Sequence, residues 1–279
     1  MRRRAFLVTA AATVTALMAA AGLVIVWRAA RPQPIVLAQA TTRPLEARLS
    51  DARADRWRPY AAAAREEVRV DTLAELQKRG DWHGLADAAI LDGQLDRAAA
   101  ALERACASAD VESDRAALAL QRHDAAAALV HAARALALAP GHAQAAWNRA
   151  LALGELGLTH VAMAAFEAIG ARGGTGWADE AKSRAATLRR RLVDERDRAR
   201  QPSPEAAAAY DAARALLQKG DAAGAERQAL TGLERARAAN ADPTDLPRRL
   251  YVLLAGAARA QGKSALADAY VDEARLVMP

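Results

Sequence analysis

The chain has 279 residues, 53% of them apolar but only 4% aromatic, with 39 basic residues against 33 acidic ones and a pI near 10. So much apolar content excludes disorder throughout, and because most of it is alanine, the core is expected from closely approaching helices rather than from large side chains filling a sheet sandwich. The basic pI does not point to nucleic acid: Arg2, Arg3, Arg4, Arg28 and Arg31 precede the first acidic residue, Glu46, and the remaining 34 basic residues face 33 acidic ones.

Three N-terminal arginines lead into an apolar run from Ala5 to Trp27, which at about 1.5 Å per residue is long enough to cross a hydrocarbon core of about 30 Å. Trp27 and Arg28 suit the membrane interface, and Pro32 and Pro34 end the helix. Residues 1–31 therefore read as a membrane anchor with one transmembrane helix over 5–27, and the short arginine tail, hard to translocate, puts the body on the periplasmic side of a bacterial inner membrane. A bacterial origin fits the excess of alanine and of arginine over lysine. Cleavage after Ala38-Gln39-Ala40 is the alternative, which would release the body. Residues 32–60 read as a linker, followed by a helix from about Ala61 to Arg79 that Gly80-Asp81 ends.

From there a unit recurs: a helix, a turn residue, and a second helix with small residues at set offsets. Gly93 precedes Ala98, Leu102 and Ala105; His123 precedes Ala128, Ala132 and Ala135, with Pro140 closing the unit; Gly157 precedes Ala162, Phe166 and Ile169. Ala128 and Ala162 stand 34 residues apart, the tetratricopeptide period, and Ala162 and Phe166 match its A-x3-F element. Trp177 to Arg200 reads as a long charged helix stopped by Gln201-Pro202-Ser203-Pro204, with a boundary near Pro202. A second block, 205–279, carries Ala213, Gly220, Ala225, Ala229 and Gly232, then Ala255, Gly262, Ala267, Val271 and Ala274. The fold expected is all-α: an α-solenoid of helix-turn-helix repeats over 61–200 and 205–279, preceded by the membrane helix.

These units resemble tetratricopeptide repeats, with the signature Trp and Tyr positions mostly degraded. A narrower resemblance lies in the run Trp147-Asn148-Arg149-Ala150-Leu151-Ala152-Leu153-Gly154-Glu155-Leu156-Gly157-Leu158, followed by Gly176-Trp177-Ala178-Asp179-Glu180-Ala181. With Arg43-Pro44-Leu45-Glu46-Ala47-Arg48-Leu49-Ser50 upstream, it is similar to the repeat-bearing N-terminal half of bacterial CHAT-domain (caspase-like) proteins. The chain departs from that pattern at Asp51-Ala52-Arg53-Ala54, where a Gly-Gly-Phe stretch would stand, and no protease segment with its His and Cys follows the repeats. The resemblance implies a repeat module related to the sensing half of such proteins, without proteolysis.

Catalytic and metal chemistry finds no support in the pattern, so no catalytic residue, metal or cofactor is expected. His83, His123, His131, His142 and His160 form no H-x3-H pair, and read as solvated or turn residues. Cys106, the single cysteine, reads as a small core residue on a repeat helix, and Glu66-Glu67 as surface residues about 100° apart on a helix. The Gly170–Gly176 stretch lacks the preceding strand and the Gly-Lys-Ser/Thr ending of a phosphate loop and reads as an inter-helix loop. Arg189 to Arg200 reads as a self-paired solvated face.

What remains is a binding surface for a protein or peptide. Stacked helix pairs expose their first helices along a concave groove, which is expected to carry Gln144, Trp147, Asn148, Leu151 and Glu155, with Asp114 and Gln121 in the preceding repeat. By resemblance, Asn148 stands where tetratricopeptide repeats often hold an asparagine that hydrogen-bonds a bound peptide backbone through its paired donor and acceptor.

Overall fold

The computed structural model describes residues 35, 37, 40–64, 66–173, 176–198, 203–238 and 245–277, and among these it contains twelve α-helices and no strand. They are α1 (Val70–Arg79), α2 (Trp82–Leu91), α3 (Leu95–Arg104), α4 (Ala109–Gln121), α5 (Ala125–Leu138) and α6 (Ala143–Glu155). Then come α7 (Thr159–Ala171), α8 (Trp177–Arg198), α9 (Pro204–Gln218), α10 (Ala222–Ala238), α11 (Leu246–Ala260) and α12 (Ser264–Leu276). The anchor expected over 5–27 lies outside the described residues, and no described helix is long and apolar enough to cross a membrane.

The helices pair because of their turns. Gly93, His123, Gly157, Gly220 and Gly262 each occupy the left-handed region, at φ 75°, 57°, 73°, 82° and 73°, between the two helices of a pair. At the first, the N–H of Gly93 donates to Ile90 O and that of Gln94 to Ala89 O, which satisfies carbonyls the helix end would leave bare. His123 makes the same pair of bonds without a glycine. After two of these turns the next helix starts on a side-chain cap, Asp124 accepting from the N–H of Ala127 and Asp221 from that of Gly224. Pairs close tightly because alanine faces alanine: Ala98, Ala128, Ala162, Ala225 and Ala267 are all buried.

The result is a helical-repeat architecture compatible with a tetratricopeptide-like solenoid. The first helices α2, α4 and α6 pack side by side, with α3, α5 and α7 behind them and α8 laid on α7. In the C-terminal block α9–α12 pack on one another, and α12 returns against α5 and α7. That docking is polar as well as apolar. Glu273 of α12, buried, accepts the N–H groups of His160 (3.2 Å) and Val161 (2.9 Å), so it caps the N-terminus of α7 from 112 residues away. Arg237 of α10 donates to Gly157 O at 2.9 Å.

Three local readings are corrected. The helix expected from Ala61 starts only at Val70; Ala61–Ala64 is a turn, and residues 66–69 belong to no helix. Alanine's helix preference is worth only tenths of a kcal/mol per residue, and here it loses to tertiary bonds: Glu66 pairs with Arg58 and accepts from Ala40 N–H (3.0 Å). Glu66 is accordingly buried rather than a surface residue, while Glu67 is exposed. Cys106 is exposed in the α3–α4 loop, because α3 ends at Arg104.

Candidate functional site

The groove is filled by the chain's own segment. The described part of residues 32–60 doubles back on itself, with Arg43 N–H donating to Pro59 O (2.9 Å) and Ala61 N–H to Arg43 O (3.1 Å). Arg58 Nη1 closes the same neck on Ala40 O at 2.9 Å. Between these points residues 45–51 pass along α6, α4 and α2, with bends at 46–47 and 50–51 and with Leu45, Ala47, Arg48 and Leu49 buried. This segment is called the strap below.

Each groove helix reads the strap's main chain. From α6, Trp147 Nε1 donates to Glu46 O at 2.9 Å. One turn-face along, Asn148 Oδ1 accepts Arg48 N–H at 2.8 Å while its Nδ2 donates to Arg48 O at 2.8 Å, so a single side chain satisfies both polar atoms of one buried residue. Its second Nδ2 hydrogen reaches Ser113 O of α4 at 3.2 Å, which fixes the amide's orientation. From α4, Asp114 Oδ1 accepts Ser50 N–H at 2.7 Å, and from α2, Asp87 Oδ2 accepts Asp51 N–H at 3.1 Å. Side chains add a second grip: Gln144 Nε2 donates to Asp55 Oδ2 at 2.7 Å, and Asp55 in turn accepts Arg48 Nε at 2.9 Å.

An aromatic wall backs this arrangement. Trp147 is fully buried and stands edge-on to Phe166 (5.4 Å) and Trp177 (5.1 Å). The guanidinium groups of Arg43 and Arg48 sit 4.5 and 4.2 Å from the Trp177 ring centre. Trp147 therefore both packs and donates a hydrogen bond.

Of the residues expected in the groove, Gln144, Trp147, Asn148 and Asp114 converge on the strap and Leu151 is buried. Gln121 is half-buried and Glu155 exposed, and among the described residues neither hydrogen-bonds the strap. The carboxyl of Glu155 is raised by partial burial and by the charge of Glu46. Sequence reasoning missed Asp87 and Ser113; Asp87 had a signal, a lone carboxylate inside the apolar run Leu85 to Leu91.

Electrostatics single out the α2–α4 end. Asp87 and Asp114 are both fully buried. Burial pushes the Asp114 carboxyl up to about 8, and burial together with the charge of Asp114 raises Asp87 well above its ordinary range. Burial also acts on Asp51, but hydrogen bonds to Arg53 outweigh it and hold that carboxyl low. The histidines are paired rather than solvated, His123 of the turn apart: His83 Nε2 contacts Asp114, His131 lies 2.8 Å from Glu112, His142 2.9 Å from Asp110 and His160 2.9 Å from Glu273. On the charged helix α8, Arg191 pairs with Glu195 one turn on. No family model matches the chain, and none of the curated proteins does.

Proposed function

We propose that the chain is a non-catalytic, tetratricopeptide-like interaction scaffold whose groove along α2, α4 and α6 recognises the extended main chain of a protein segment, with the strap as its resting occupant. The observation that carries this reading is the double hydrogen bond of Asn148 to Arg48. A groove that reads N–H and C=O groups accepts a peptide main chain with little demand on its sequence. A partner segment of the same form competes with the strap for the same atoms. The N-terminal apolar run would tether the scaffold to the inner membrane with its body in the periplasm.

A second, narrower reading is a sensor half working with a separately encoded CHAT-type protease. It is supported by the meeting in space of the three stretches that carry that resemblance: Arg43–Ser50 lies against Trp147 and Asn148, and Arg43 pairs with Glu180. A job in assembling an envelope complex uses the same scaffold with a different partner.

The test is a labelled peptide of residues 43–56 added to the full chain and to a strap-released chain carrying Arg48→Pro and Ser50→Pro, which remove the two N–H groups that Asn148 and Asp114 accept. Binding to the released chain, none to wild type, and loss of binding on adding Asn148→Ala is the expected pattern. Equal binding to released chains with and without Asn148→Ala overturns the groove reading. Affinity purification from the protein's own membranes with the released chain then identifies the partner.

A further inference from the structure

Beneath the strap, α2 and α4 place three ligand-type side chains together. His83 and Asp87 stand four residues apart on α2, and so share a face, while Asp114 reaches them from α4. One ligand atom from each, an imidazole nitrogen and two carboxylate oxygens, lies within 4.8 Å of the others. We propose that His83, Asp87 and Asp114 bind one divalent transition-metal ion of the zinc class, and that this ion locks the strap in the groove.

The division of oxygens supports it. Each carboxylate spends one oxygen on the strap, Asp114 Oδ1 on Ser50 N–H and Asp87 Oδ2 on Asp51 N–H. The other oxygen of Asp114, Oδ2, faces His83 Nε2. The other oxygen of Asp87, Oδ1, is sealed from solvent and has no hydrogen-bond partner among the described residues. A bare buried carboxylate oxygen is costly unless a cation or a proton meets it. The guanidinium of Arg53 is committed elsewhere, to Asp51 and Asp81.

The donor set fits. An imidazole with two carboxylates suits zinc and its neighbours rather than calcium, which prefers six or more oxygens. At ligand bonds of about 2.0–2.2 Å, tetrahedral ligands stand roughly 3.4 Å apart, so the contacting His83 and Asp114 atoms must open to admit the ion, while no pair in a cluster held within 4.8 Å has far to close. Three protein ligands leave a fourth position on the side of His83, whose side chain is 27% exposed and gives an entry path. The strap amides of Ser50 and Asp51 then act as donors behind the ligating carboxylates, the arrangement that orients them and strengthens binding. Because those amides belong to the strap, metal occupancy and groove closure are linked.

The competing occupant is a shared proton. The full-length chain in detergent micelles, stripped with a chelator, is titrated with Zn²⁺ by calorimetry in two buffers of different ionisation enthalpy, and with Co²⁺ by visible absorption. The expected result is one ion per chain with micromolar or tighter affinity, and at least ~10-fold weaker binding in Asp87→Asn and His83→Gln, but not in His131→Gln. His83→Gln, at the partly exposed ligand, keeps the test valid if Asp87→Asn unfolds, and helix content by circular dichroism checks both. Absence of stoichiometric binding, or binding equal in His83→Gln and wild type, overturns the proposal and leaves a proton-sharing carboxyl pair.

Discussion

Replacing Asn148 by alanine removes the one side chain that satisfies both main-chain polar atoms of Arg48. Asn148 is wholly buried, and its two bonds to Arg48 are each 2.8 Å long. Without it, a buried N–H and a buried C=O lose their partner, at about 1–3 kcal/mol each. The strap is therefore destabilised by ~2–6 kcal/mol, toward the lower figure where water enters the vacated space. At 1.4 kcal/mol per factor of ten, even 2 kcal/mol multiplies opening of the strap by ~30. Native-state hydrogen exchange reads this directly: the amides of Arg48 and Ser50 are expected to exchange at least ~30-fold faster in Asn148→Ala, while that of Ala152, inside α6, changes far less, because the strap opens locally. Asn148→Leu, similar in volume but unable to hydrogen-bond, is expected to behave alike, which separates lost bonds from a cavity. Protection of Arg48 within threefold of wild type in both variants would refute the reasoning.

Trp147→Phe keeps most of the ring but loses the donor to Glu46 O, and is expected to cost ~1–2 kcal/mol in urea unfolding, against ~3–5 kcal/mol for Trp147→Ala; an unchanged urea midpoint in Trp147→Phe would mean the indole N–H contributes nothing. The Asp114 carboxyl, raised from 3.8 to about 8, keeps in the folded metal-free chain a proton that the unfolded chain gives up. Its contribution is therefore full below about pH 4 and drains away as pH rises toward 8, by at most about 1.4 kcal/mol per pH unit; urea midpoints across that window should fall in wild type and flatten in Asp114→Asn, and a wild-type stability rising with pH over the window would contradict this. Glu273→Gln turns one of two acceptors at the N-terminus of α7 into a donor, and ~1–3 kcal/mol of stability should go with it; an unchanged urea midpoint would show that the cap is not needed. A Cβ at Gly232 meets Leu250 Cδ2 at 2.9 Å and Ala209 Cβ at 3.3 Å, so Gly232→Ala should lower stability by ~1–3 kcal/mol through overpacking between α9, α10 and α11; a stabilised variant would show that the helices have slack.

Much of the architecture was written locally. A helix end, a left-handed turn residue and a capping side chain all act within a few residues of one another, so Gly93, His123 and Gly157 mark their turns, and the recurring alanines mark the tight helix faces, without knowledge of the fold. The same periodicity placed Trp147, Asn148 and Asp114 on the groove face, because a helix's phase follows from its own residues. Partners across long separations were not legible. Asn148 and Arg48 are 100 residues apart, and nothing near Arg48 says that its backbone will meet an asparagine rather than water. Ala61–Ala64 has a helical composition and is a turn, since Arg58 and Ala40 claim Glu66 from elsewhere. Asp87 stood out as a charge in an apolar run, but that it meets Asp114 and His83 under a strap depends on how α2 lies beside α4. Turns, caps and faces are set by energies of a few neighbouring residues; which buried polar groups meet, and what fills the groove, is settled only when the helices pack and every main-chain N–H and C=O has to find a partner.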